Sequence, residues 1–203
     1  ESAGTRKIAF GRELWIERDD FMENPPPKYF RLYPGNAERS GNSVRLRYGY
    51  IVTCTGFDKD AAGEISAVRC TYDPGTRGGN APDNKKVKGT IHWVSAAHAV
   101  PIEARIYDYL FAAQRPMDVP PGGSFTDNLN PNSLEVIGGA WGEASLAKAD
   151  PVPYQFERLG YFIRDTPVIP GTEGGGAESG KLVFNKTIGL RDTWAKVNKN
   201  NQG

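Results

Sequence analysis

The sequence predicts an all-β protein made of many short strands, and three observations carry that reading. Apolar and polar residues alternate at a period of two in eight or more segments, as strands with one wet face do. Turn strings such as LYPGN, YDPGT and RDTPVIPGT separate them. The 203 residues include 24 glycines and 15 prolines, an abundance that suits turns between strands and sets a helical bundle aside. Strands of this number and spacing build sandwiches or barrels.

Taken in order, the first strand-like stretch is RKIAFGRELWIE. Next, Val44, Leu46, Tyr48, Tyr50 and Val52 alternate with Arg45, Arg47, Gly49, Ile51 and Thr53, which predicts one continuous strand. AVRCTYD, KVKGTIHWV, PIEARIYDYLF, SLEVIGGAW, FERLGYFIRD and GKLVFNKTIGL follow with the same pattern. ENPPPK at 23–28 and AAQRPMDVPPGGSFTDNLNPNS at 112–133 are rich in proline and poor in periodic apolar residues, so boundaries are expected there. One β unit would lie between them, inserted into a second unit built from roughly 6–22 and 134–197. GTEGGGAESG reads as a surface loop, and residues 1–5 and 198–203 as frayed ends.

Charge is nearly balanced overall, with 25 Lys and Arg against 24 Asp and Glu. It is segregated, however: residues 28–105 hold 12 basic against 7 acidic, and the remainder 13 against 17. A local basic surplus points to phosphate contacts or to a solvated surface. No apolar run approaches the ~20 residues that cross a bilayer, so no membrane is expected. Cys54 and Cys70 sit in two strand-like stretches joined by a turn and could pair, but two cysteines are not a disulfide framework and reduced thiols in the cytoplasm are expected. The chain begins at Glu1 and reads as a piece of a longer protein.

The catalytic inventory is empty. His92 and His98, six apart, lack further ligands at a metal spacing, so both are expected to be structural and no metal site is expected. There is no G-x-S-x-G elbow, phosphate loop or Cys-x-x-Cys pair. The binding inventory is fuller. Lys28, Tyr29, Phe30 and Arg31 interleave basic and aromatic groups, and Arg45 and Arg47 share a strand face by the period of two. Paired guanidinium groups on a rigid strand suit bidentate recognition of guanine edges or phosphates, and neighbouring aromatics can stack on unpaired bases. An edge strand protected by charge would present the same pattern. Gln155 and Arg158 could read a base together only if a bulge or a loop start broke their opposite-face spacing. Lys186, Arg191 and Lys196 add positive charge near the C-terminus.

Together RLRYGYIV, CTYDPGT, KVKGTIHWVSAAHAVPIEARIYDYLF, YQFERLGYFIRDT and VFNKTIGLRDTWAKV resemble the C-terminal anticodon-binding region of the glutaminyl-tRNA synthetases. The resemblance runs from about Lys7 to Val197, broken at the proline-rich stretches and at 168–180. It implies two β-barrels with the topology of a 5S-rRNA-binding ribosomal protein: a distal one at 26–112, and a proximal one from 6–25 and 113–197, incomplete on its N-terminal side. The implied partner is the anticodon loop of the glutamine tRNA, held by a monomer. The implied activity of the whole enzyme is ATP-dependent joining of glutamine to tRNA. The HIGH-like and KMSKS-like signatures of that chemistry do not occur in these residues, so ATP and magnesium would belong to a catalytic half outside them, and these residues alone should be inactive.

Residue by residue, the family's R-L-R falls on Arg45, Leu46 and Arg47, with Arg45 implied at the first anticodon base. Its Q-Y-K-R-L falls on Lys28, Tyr29, Phe30, Arg31 and Leu32, so Phe30 replaces a lysine implied at the third base while Arg31 is kept. Lys28 could restore the charge from a neighbouring position. Its Q-F-E-R falls on Gln155 to Arg158, which implies contacts from Gln155 and Arg158 to the middle base, and Arg191 is a further implied contact. The archaeal and eukaryotic glutamyl enzymes share these barrels, and a stand-alone RNA-binding barrel remains the other reading.

Overall fold

A computed structural model describes residues 5–36, 40–78, 87–148, 152–165 and 182–190. The GTEGGGAESG tract and Arg191 lie outside the described residues. The chain is all-β, as expected, and divides into two compact units, Glu1–His98 and Ala99–Gly203. Among the described residues neither unit forms a closed ring of strands, though each is barrel-like in gathering its strands over one core. No helix among them is long and apolar enough to cross a membrane.

In the first unit the strands are β1 (Leu14–Ile16), β2 (Ser43–Leu46), β3 (Ile51–Lys59), β4 (Ile65–Asp73), β5 (Gly89–Ile91) and β6 (Trp93–Ser95). The sheet order is β4-β3-β2-β5, with β2 and β5 parallel, and β1 pairs separately with β6. The expected single strand over 44–53 is instead a tight hairpin. Gly49 donates to the Leu46 carbonyl oxygen at 2.7 Å, Leu46 donates to that of Tyr50 at 2.9 Å, and Tyr48 takes a φ of 61° to turn the corner. Alternation survives on either side, so Val44, Leu46 and Val52 still share one core with Cys54, Ile91 and Trp93. KVKGTIHWV likewise breaks at His92 into two strands with different partners. Between β3 and β4 the Asp60 carboxylate accepts from the amides of Ala62 and Glu64 at 2.9 Å each, and Gly63 supplies the left-handed residue.

The second unit holds β7 (Val100–Tyr107), β8 (Leu134–Gly142), β9 (Pro153–Phe156), β10 (Gly160–Arg164) and β11 (Leu182–Gly189), in the order β8-β7-β11-β10-β9. Its core gathers Ile102, Ala104, Leu146, Phe162 and Phe184, with Phe156 stacked on Phe162 at 4.4 Å.

The division falls elsewhere than the proline-rich stretches suggest. Segment 14–16 pairs with 93–95 inside the first unit, whereas 100–107 joins 134–142 and 182–189 in the second. Both proline-rich stretches are excursions whose ends are tied together. Leu32 donates to the Asp20 carbonyl and Met22 to that of Leu32 across ENPPPK, and Asp108 donates to Ser133 across the long loop. Within that loop Ser124 and Asp127 form a capping box on the short 3-10 turn Phe125–Asn128. Composition marks such a loop correctly but says nothing about whether its two ends meet.

Candidate nucleic-acid interface

Residues 26–33 run along the sheet of the first unit and are held there by buried groups. Tyr29 is buried, and its hydroxyl donates to the Asp19 carbonyl oxygen at 2.8 Å. With Tyr29 turned inward, its neighbours Lys28 and Phe30 are exposed, and Lys28 adopts a φ of 65° after Pro26 and Pro27. The Phe30 backbone lies so close to β5 that a Cβ on Gly89 would collide with the Phe30 carbonyl oxygen. That approach brings the Lys88 ammonium to 5.2 Å from the Phe30 ring centroid, a cation–π distance. The two side chains border an open cleft of about 470 Å³ that Lys28, Asn42 and Ser43 also line. A ring 44% exposed beside the Lys88 ammonium can stack a flat ligand, and the lysines that line the cleft can offset an attached negative charge.

Arg31 is mostly withdrawn from solvent, its side chain 15% exposed. Its guanidinium sits 3.5 Å from the Asp20 carboxylate, which is wholly buried, and it donates to the Asp19 carbonyl oxygen at 3.1 Å. Arg45 is on the outward face of β2 with Ser43, as expected, but its guanidinium donates to the carbonyl oxygens of Thr76 at 3.1 Å and Gly49 at 3.3 Å. Arg47 is not on that strand at all, because β2 ends at Leu46; it begins the turn and lies 5.0 Å over the exposed Tyr48 ring. The pair expected to project together from one rigid strand is therefore split between a strand and a turn, the turn being invisible to a period-two reading.

Thr76, whose carbonyl holds Arg45, also ties the hairpin through its side chain. The Thr76 side chain is fully buried; its hydroxyl accepts from the Ile51 amide at 2.9 Å and donates to the Asp73 carbonyl at 2.7 Å. Thr76→Val should cost about 1–3 kcal/mol, the penalty of an unpaired buried donor, read as a shift in urea midpoint without a change in slope. An unchanged midpoint would refute the assignment.

In the second unit Gln155 is exposed on β9, and Arg158 occupies the turn that joins β9 to β10, at a φ of 67°. This is the loop start that joint action requires. Two residues on, Gly160 has a φ of 150° and no room for a Cβ against the Ile188 carbonyl, and the Lys186 side chain lies against it. Sequence reading missed Lys88. The one available signal was its place in the basic surplus, since Phe30 is 58 positions away in the chain and meets it only where the Phe30 backbone packs on Gly89 at the start of β5.

His98 Nδ1 lies 3.1 Å from the Ser95 hydroxyl, and among the described residues no group of three or more His, Cys, Asp or Glu could hold a metal.

Comparison with known proteins bears on both units. Residues 1–73 and residues 90–165 match two family models, each described as the anti-codon binding domain of class I (E and Q) tRNA synthetases. The glutamine–tRNA ligase of Bradyrhizobium diazoefficiens is 56% identical over 196 residues, covering 96% of this chain and 32% of that protein. That of Nitrobacter hamburgensis is 55% identical over 197 residues, covering 97% and 32%, and that of Ralstonia pickettii 48% over 195, covering 95% and 31%. The chain thus spans about a third of the length of the curated relatives it matches.

Proposed function

Because the chain belongs to the anticodon-binding family of class I (E and Q) tRNA synthetases, we propose that it grips the anticodon loop of the glutamine tRNA for a glutamine–tRNA ligase. The first unit plays the distal part and the second the proximal part. The observation that supports this most directly is the cleft beside β2, where Lys28, Phe30 and Lys88 set one exposed ring among cations on a rigid sheet. Arg45 and Arg47 border the same strand, and Gln155 with Arg158 serves the middle base from the hairpin turn of the second unit. Arg191 enters on the resemblance alone. ATP and magnesium belong to the ligase reaction as a whole; among the described residues no group of three or more His, Cys, Asp or Glu could hold the metal. The protein acts as a monomer in the cytoplasm.

The test is a fluorescence titration of the chain with a labelled anticodon stem-loop ending its anticodon in G, and with the same loop ending in C. The G form should bind more tightly. Phe30→Ala should weaken it by about 1–3 kcal/mol, the worth of one stacked base. Lys88→Ala should weaken both loops alike and lower the slope of log affinity against log salt by about one. Equal affinity for the two loops, untouched by Phe30→Ala, would overturn the reading.

A further inference from the structure

Two thiols face each other across the β3–β4 hairpin. Cys54 and Cys70 are direct partners in its antiparallel register, and both are free. The Cys54 amide donates to the Asn42 carbonyl oxygen at 3.1 Å, toward the β2 side, just as Tyr50 accepts from Leu46 on that side. A Cβ on Gly41 would collide with the Cys54 carbonyl oxygen, so the amide and the carbonyl of Cys54 both face the Gly41–Asn42 side, away from β4, before the register shifts between Cys54 and Gly56. The cysteines therefore form a non-hydrogen-bonded pair, the type whose Cα atoms lie about 4.5 Å apart with side chains closest. That separation falls within the roughly 4.4–6.8 Å that a disulfide spans.

The two environments differ in a way that suits reversible chemistry. Cys54 is 3% exposed within the core, while Cys70 is open to solvent. A hydrogen bond from the Cys70 thiol lowers Cys54 to about 7, against the effect of burial, and the same contact pushes Cys70 up. A thiolate held by its neighbour's S–H is the nucleophilic form of a cysteine.

We propose that Cys54 and Cys70 are a dithiol modification site, closed by peroxide to a cross-strand disulfide and reopened by small thiols. The thiolate of the pair attacks one peroxide oxygen; an S–O bond forms, the O–O bond breaks and hydroxide leaves. The second thiol then attacks the sulfenic sulfur, forming S–S, breaking S–O and releasing water, while its proton goes with the departing oxygen. Two thiols and one peroxide become one disulfide and two waters, so the two electrons lost by sulfur are those gained by oxygen. Closure staples the strand whose backbone holds Asn42, and the Asn42 side chain donates to the Arg31 carbonyl at 2.7 Å in the wall of the cleft.

The experiment uses the full chain, reduced and then treated with a small excess of hydrogen peroxide. Both titratable thiols should disappear, the intact mass should fall by two hydrogens without gaining oxygen, and digestion should release a Cys54–Cys70 cross-linked peptide that dithiothreitol separates. Cys70→Ser should give no such peptide. Closure should be much slower in concentrated urea, where the sheet no longer holds the sulfurs opposed. Oxygen added without a cross-link, covalent dimers through Cys70, or equal rates in urea and buffer would each overturn the proposal.

Discussion

Arg31→Ala should cost the first unit about 3–5 kcal/mol of stability, the usual consequence of stranding one member of a buried ion pair. The Asp20 side chain is 0% exposed and that of Arg31 only 15%, so the carboxylate left behind could not rehydrate without opening the segment that carries Phe30. Both residues have further partners, which raises what removal disturbs. Urea unfolding of the whole chain, followed by tryptophan fluorescence, measures the loss; a change below about 1 kcal/mol, the level of an exposed pair, would refute it. The same pair separates structure from recognition. Asp20→Asn breaks the ion pair but keeps the guanidinium. If Arg31 also reads a base, Arg31→Ala should abolish the preference for G over C in the stem-loop titration, while Asp20→Asn, at a temperature where both variants fold, should retain it.

The second large effect belongs to Phe184. It is fully buried at the centre of the five-stranded sheet, with its ring 5.3 Å from that of Phe156 and 6.4 Å from that of Tyr154. Phe184→Ala leaves a cavity that neighbouring strands cannot fill without breaking their ladders, at a cost of about 3–5 kcal/mol. Hydrogen exchange resolved by residue should show protection lost in β7, β10 and β11. Equal loss throughout β2 and β3 would mean that the two units do not have separate cores.

Much of this architecture was legible because burial enforces alternation. Val44, Leu46 and Val52 had to share a face whichever way the chain turned, and they do. What alternation could not reveal was the turn itself, since Tyr48 takes a left-handed φ that an aromatic side chain gives no reason to expect. The unit boundary was misread for a related reason: proline and glycine mark where regular structure stops, while membership of a unit depends on pairings between distant segments, such as 14–16 with 93–95. The candidate site was half legible. Lys28 and Phe30 are exposed as their pattern suggested, but Arg31 and Arg45 spend their guanidinium groups on Asp20, Thr76 and Gly49 within the fold. Residue type indicates what a side chain can bind; only the surroundings indicate what it already binds.

The parallel pairing of β2 with β5 also has a kinetic consequence. Hairpin β3–β4 closes locally across the Asp60–Gly63 turn, but Gly89 can reach Val44 only after the whole intervening chain has been brought round. Loop-closure entropy grows with the length enclosed, and non-local pairings are the slow ones. Lys88, next to Gly89, is carried to the cleft by the longest-range closure in its sheet, so that pairing is the expected slow step in forming the surface that would meet RNA.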